Sequence, residues 1–208
     1  GIDNLTIYKN DIRRGKNFAI ATTGPAGIIA FGGHSNLIIS HNLIHDLEKF
    51  GTTAGQPTGI RLQTNGPGVY TNTRIYNNMI YDLRNPLGVN ATPTQGAEGI
   101  AVTSTSPNPF NTAEIYNNTI HLTGSLSATT PSYTAGMLFS TALAADTVKV
   151  FNNIISNEMV TPGGTGSFIY ADFIHQAGSG GNANMRQVSD YNLYWYPGGG
   201  LGIFAGAD

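Results

Sequence analysis

Apolar residues alternate with polar ones in short runs along the whole chain, and six of those runs end on an asparagine and resume with an apolar residue. They are Leu5-Thr-Ile-Tyr-Lys-Asn10-Asp-Ile12, Leu37-Ile-Ile-Ser-His-Asn42-Leu-Ile44, Thr73-Arg-Ile-Tyr-Asn-Asn78-Met-Ile80, Ala113-Glu-Ile-Tyr-Asn-Asn118-Thr-Ile120, Val148-Lys-Val-Phe-Asn-Asn153-Ile-Ile155 and, more loosely, Val188-Ser-Asp-Tyr-Asn192-Leu-Tyr194. The aligned asparagines are spaced by 32, 36, 40, 35 and 39 residues. A recurrence in that range marks stacked copies of one supersecondary unit. Between successive asparagines lies a second motif, Gly27-Ile-Ile-Ala-Phe31, Gly59-Ile-Arg-Leu62, Gly99-Ile-Ala-Val102 and Gly136-Met-Leu-Phe139, with Ser167-Phe-Ile-Tyr170 as a last copy without the glycine. Alternation of Leu5 with Ile7, Leu37 with Ile39, Ile60 with Leu62 and Ile100 with Val102 has the period of a half-buried strand. No segment carries the pattern of a long amphipathic helix.

Each unit therefore holds about three short strands, and the expected fold is all-β: a parallel β-helix solenoid of about five to six coils filled by stacked like side chains. The corner between two strands needs a residue with positive φ, and asparagine tolerates it. Stacked amides can also bond one another between coils. On this basis Asn10, Asn42, Asn78, Asn118, Asn153 and Asn192 are assigned a structural ladder, with the asparagines themselves expected at the positive-φ corner.

The repeat resembles the right-handed parallel β-helix of the pectate-lyase-like superfamily, over nearly the whole chain. The run Val188-Ser-Asp-Tyr-Asn-Leu-Tyr-Trp-Tyr-Pro197 and the Asn-Asn-Ile-Ile segment look like secreted or surface-attached β-helix proteins of Bacteroidetes-type bacteria. The resemblance implies an extracellular or cell-surface location and a chain, 1–208, that is a single β-helix domain processed or excised from a longer protein.

Composition sharpens this picture. Of 208 residues, 27 are glycine, none is cysteine and 11% are charged, against roughly 25% in ordinary soluble domains. Disulfides are ruled out. A net charge of −2, with ten basic residues scattered along the chain, supplies no electrostatic footprint for nucleic acid. No run approaches the roughly 18 apolar residues of a membrane span. The polar loops, rich in glycine, proline, threonine and serine, read as exposed turns. Asn4-Leu-Thr and Asn90-Ala-Thr match the N-glycosylation pattern, but Asn4 precedes a core strand and glycosylation is not expected.

Chemistry has to sit on outward positions. On the glycine-motif strands these are Ile29, Arg61, Ala101 and Leu138, one charge and no carboxylate. The resemblance would place calcium-binding acids and a catalytic arginine in this region. Calcium takes six to eight oxygen ligands, so no metal or other cofactor is expected here. The strand before each asparagine presents Tyr8, Ser40, Tyr76, Tyr116 and Phe151, with Arg74, Glu114 and Lys149 two residues earlier. At rung spacing Tyr76, Tyr116 and Phe151, with Arg74 alongside, would form a flat aromatic platform suited to a glycan. Cross-strand stiffening is the plainer explanation of the same row.

The strand after each asparagine presents Arg13, His45, Tyr81, His121, Ser156 and Trp195 at one position and Arg14, Asp46, Asp82, Leu122, Asn157 and Tyr196 at the next. A polysaccharide lyase needs a base beside a uronic carboxylate and a cation to neutralise it; His45 or Tyr81, with Arg13, could fill those roles. Asp46 and Asp82 could suit a retaining glycosidase, although an ion-pair ladder with Arg14 and Arg84 is simpler. His45 and His121, two rungs and about 9.6 Å apart, cannot share a zinc. Three functions follow: a non-enzymatic surface or adhesin-type module touching glycans, a polysaccharide lyase or glycoside hydrolase centred on His45, Tyr81, Asp46 and Arg13, and a subunit that self-associates through uncapped coil ends.

Overall fold

A computed structural model describes residues 2–17, 24–49, 55–64, 69–86, 94–104, 111–125, 132–141, 147–160, 169–177, 186–195 and 203–205. Among them the regular structure is entirely β, wound as a parallel solenoid with three sheets. The leading sheet collects the strands before each asparagine: Thr6–Tyr8, Ile38–Ser40, Thr73–Tyr76, Thr112–Tyr116, Thr147–Phe151 and Arg186–Asp190. The trailing sheet collects those after it: Asp11–Arg13, Leu43–Lys49, Met79–Arg84, Thr119–Ser125, Ile154–Val160 and Leu193–Trp195, with the short Lys16–Asn17 strand beside the second. The glycine sheet holds Ala26–Phe31, Thr58–Thr64, Thr94–Ser104, Ser132–Thr141, Ile169–Ala177 and Ile203–Ala205. Of the glycine-less segment Ser167–Tyr170, Ser167 and Phe168 lie outside the described residues, as does Asn90.

Register follows the repeat. Ile7, Ile39, Ile75, Ile115 and Val150 pair in sequence along the leading sheet, and Ile12, Ile44, Ile80, Ile120, Ile155 and Tyr194 along the trailing one. Ile28, Ile60, Ile100 and Met137 do the same in the glycine sheet. All of these residues belong to or pack against one core cluster. Stacking like on like keeps each layer in one rotamer family, and close packing of aliphatic side chains supplies most of the stability.

The glycine motif has a steric cause. A Cβ on Gly59 would lie 2.6 Å from the carbonyl oxygen of Gly99 and 2.6 Å from Ile80 Cγ2; on Gly99 it would lie 2.5 Å from the Gly136 carbonyl oxygen and 2.5 Å from Ile120 Cγ2. Gly27 stands in the same relation to Gly59 and Ile44. The isoleucine of each trailing strand thus fills the space that a side chain at the glycine would need.

The corner is built differently from the expectation. Positive φ falls on the residue before each ladder asparagine, Lys9, His41, Asn77, Asn117, Asn152 and Tyr191, at 52° to 57°, and not on the asparagines themselves. Further left-handed positions occur at Asn4, Asn36 and Asn72 and at Arg14, Asp46 and Asp82. With the kink placed one residue early, the following asparagine turns its side chain into the corner, where Asn42, Asn78, Asn118 and Asn153 are all buried.

Candidate functional site

Inside the corner the amides form a closed network. The backbone N–H and the Nδ2 of Asn42 both donate to Asn78 Oδ1 at 3.0 Å; Asn78 repeats this to Asn118 at 3.1 and 3.0 Å, and Asn118 to Asn153 at 3.0 Å for both. Asn10 opens the series on Asn42 and Asn153 continues it to Asn192. The second Nδ2 hydrogen goes to a leading-strand carbonyl one coil earlier, from Asn78 to Ile39 and from Asn118 to Ile75, both at 3.0 Å. Every amide oxygen from Asn42 onward accepts twice and every buried amide nitrogen has at least two oxygen acceptors, Asn118 and Asn153 reaching a third on Tyr116 and Phe151, so the polar corner is fully paired away from water. An outer amide row runs with opposite polarity: Asn72 Nδ2 donates to Asn36 Oδ1 and Asn36 Nδ2 to Asn4 Oδ1. Sequence reasoning missed this row, treating Asn4 only as a glycosylation match.

On the outer face of the leading sheet the rings of Tyr76, Tyr116 and Phe151 lie parallel within 1° and 3°, with centroids 5.0 Å apart. Rings that close cannot lie side by side in one plane, because their edges would overlap; they overlap face to face with an offset. Neighbouring rings in the row therefore cover part of one another's faces. The three residues expected to line up as an aromatic platform do line up, as a parallel stack and not as one coplanar surface. Where Ser40 interrupts the row, His41 bridges it, its ring edge-on to Tyr8 at 5.1 Å and to Tyr76 at 5.6 Å. Alternation hid His41, because it occupies the left-handed corner position and not a strand position. Burial chiefly, and then Tyr76, push the Tyr116 phenol above its ordinary value. Beside the stack Lys149 Nζ bonds Glu114 at 3.1 Å, and Arg74 pairs in register with Glu114.

On the outer face of the trailing sheet Arg13, His45, Tyr81, His121, Ser156 and Trp195 line up in register. His45 stacks on Tyr81 with centroids 4.8 Å apart and planes within 7°, while its Nε2 meets Asp11 Oδ1 at 3.2 Å. Arg13 reaches the same carboxylate at 3.5 Å. His121 turns the other way, its Nε2 3.4 Å from Glu158 Oε1, and Ser156 Oγ donates to that oxygen at 2.9 Å. Serine, histidine and glutamate meet here without triad geometry, because the hydroxyl serves the carboxylate and not the imidazole.

Asp46 does not join His45 and Tyr81. It sits at a left-handed corner and is bound by Arg84, which also holds Glu48 at 3.3 Å and Asp82 at 3.1 Å. Leu122 and Asn157, grouped above with Asp46 and Asp82, are fully buried. Those two rungs lack the kink at that position and continue the in-out alternation, which carries residues 122 and 157 inward. Tyr196 lies outside the described residues.

The glycine sheet holds a carboxylate where none was expected. Glu98, fully buried, accepts from Gln56 Nε2 at 2.8 Å, Thr58 Oγ1 at 3.1 Å and Arg61 Nη2 at 3.1 Å. Ala101 and Leu138, assigned to the surface, belong with Ala135 to a second buried cluster. Alternation marks these positions as turned away from the main core, and it carries no signal that another layer covers them. Among the described residues no group of three or more histidine, cysteine or acidic side chains is placed to hold a metal ion, and no helix is long and apolar enough to cross a membrane. No protein-family model, curated protein or solved structure matches this chain.

Proposed function

We propose that the protein is a non-enzymatic extracellular or cell-surface module, a rigid adhesin-type scaffold that contacts glycans. In this reading the solenoid is right-handed, with five to six coils, and belongs with the pectate-lyase-like superfamily and the surface β-helix proteins of Bacteroidetes-type bacteria. The asparagine repeat, the glycine motif and the low charge content support it.

One observation carries the non-catalytic part: the charged groups nominated for catalysis are engaged with one another. Arg13 and His45 both face Asp11, and Asp46 is tied to Arg84. A lyase needs its cation free for the substrate carboxylate and its base aimed at a ring proton; polar contacts within a rung, as Arg13 with Asp11, and between rungs, as Arg84 with Asp46, serve stiffness instead, an exposed ion pair being worth at most about 1 kcal/mol. The glycan part rests on aromatic side chains repeated at rung spacing on two outer faces.

Incubation with neutral and uronic polysaccharides, followed for unsaturated ends and new reducing ends, tests the reading together with binding on a glycan array. Binding without product is expected. Product formation abolished by His45→Ala or Tyr81→Phe would replace the scaffold with the polysaccharide lyase or hydrolase.

A further inference from the structure

The trailing-face ring row has a gap, and the gap has the makings of a binding site. Tyr81 is covered on one face by His45. On its other side the register partner is His121, yet among the described residues Tyr81 stacks with no ring other than His45. The His121 Nε2 lies instead 3.4 Å from Glu158 Oε1 on the following coil. A cleft of about 290 Å³ opens there, lined by Met79, Ile80, Tyr81, Thr119 and His121. That volume lies at the lower limit of ordinary small-molecule sites, roughly 300–1,000 Å³, and takes one ring, not a chain.

We infer that this cleft is a subsite for a single neutral pyranose ring, an inference that rests on the glycan-contacting reading above. The chemistry of the walls selects the ligand. The open face of Tyr81 carries the negative side of an aromatic quadrupole, which attracts the polarised C–H groups on one face of a sugar. Met79, half exposed, adds a soft apolar wall that adapts to ring shape. The Thr119 hydroxyl and His121 Nδ1 supply hydrogen-bonding partners at the rim. Anionic sugars are disfavoured, since neither lysine nor arginine lines the cleft and the Glu158 carboxylate lies 3.4 Å from His121.

Methionine methyl labelling reads this site directly. The chain has four methionines; Met79 lines the cleft, while Met137 and Met159 are buried in the core and report on folding. Titration with methyl glycosides of glucose, galactose and N-acetylglucosamine is expected to shift the Met79 methyl saturably, with methyl galacturonide at least fivefold weaker. Tyr81→Ala is expected to weaken binding at least tenfold with the Met137 and Met159 signals unchanged. H121Y, which exchanges the imidazole wall for a larger ring that extends the stack over Tyr81 and fills the cleft, is expected to do the same, and Tyr76→Ala to leave binding intact. A Met79 signal unmoved by every neutral glycoside, or a shift that survives H121Y, overturns the subsite. Array binding alongside a silent Met79 would overturn it while leaving the glycan-contacting module standing.

Discussion

The leading and trailing faces of the asparagine corner start from the same arrangement, rings repeated at one rung spacing, and reach opposite surfaces. On the leading face Tyr76, Tyr116 and Phe151 close into an unbroken stack. On the trailing face the stack stops after His45 and Tyr81, and His121 lies beside a carboxylate on the next coil. Stacking covers ring faces, so an unbroken aromatic ladder leaves less open face than one that is interrupted.

Both faces depend on the buried amides between them, so the strongest way to break the comparison is to cut that ladder. Asn118→Ala removes the group that donates to Ile75, Tyr116 and Asn153 and accepts from Asn78. With each stranded buried group costing about 1–3 kcal/mol, a loss of roughly 3–5 kcal/mol is expected in urea denaturation, with both ring rows disturbed together. A loss under about 1 kcal/mol would mean that the amides are not a closed network.

A narrower change should separate the faces. Gly99→Ala drives a methyl against the Gly136 carbonyl and Ile120, and Ile120 lies beside the cleft-lining Thr119 and His121. Overpacking of this kind costs about 1–3 kcal/mol. Chemical shifts are expected to move around Tyr81 and His121 and to stay put around Tyr76 and Phe151. A response spread equally over both faces would deny that the trailing row can be perturbed by itself.

Smaller still, Tyr116→Ala opens the leading stack in its middle. Two aromatic contacts are lost, each about 0.5–1.5 kcal/mol, and the exposed faces of Tyr76 and Phe151 turn the stiff face into one resembling the trailing cleft. A measurable gain of neutral-glycoside binding on the leading face is the sharpening result; unchanged stability would show that the rings do not support one another.

The smallest effect is a titration. Tyr116 ionises above the ordinary 10.0 because of burial first and Tyr76 second. A raised phenol favours the folded state while neutral, so its contribution is whole below pH 10 and is lost as pH rises through the folded value. Ultraviolet difference titration should show a late component removed by Tyr116→Phe, distinct from that of Tyr70, which burial raises to about 12. Loss of no late component would place Tyr116 in open solvent.

Much of the fold was legible in the chain, for physical reasons. Alternation at Ile39, Ile60 and Ile100 reports burial directly, and the spacing of the asparagines reports which residues become neighbours, so the three sheets and their register could be written down in advance. The positive-φ position could not, because Asn77, Asn117 and Asn152 sit beside the ladder asparagines and composition alone does not say which of two adjacent asparagines kinks. Glu98 escaped because a buried carboxylate depends on Gln56, Thr58 and Arg61 arriving from an adjacent coil and a loop. The Tyr81 cleft escaped for a similar reason: it depends on where the His121 side chain lies relative to the Tyr81 ring, and side-chain placement leaves no periodic mark.

Absence of cysteine makes one direct test clean. Glu114 and Lys149, 35 residues apart, pair in register on the outer leading face, and parallel neighbours fall within the roughly 4.4–6.8 Å Cα separation that a disulfide spans. A variant carrying Glu114→Cys and Lys149→Cys is expected to oxidise to a single intramolecular crosslink with no free thiol, whereas Glu114→Cys with Val150→Cys, whose side chain points into the core, is expected to keep both thiols reduced. Failure of the first pair to close, or equal closure of the second, would contradict the stacked register on which both faces depend.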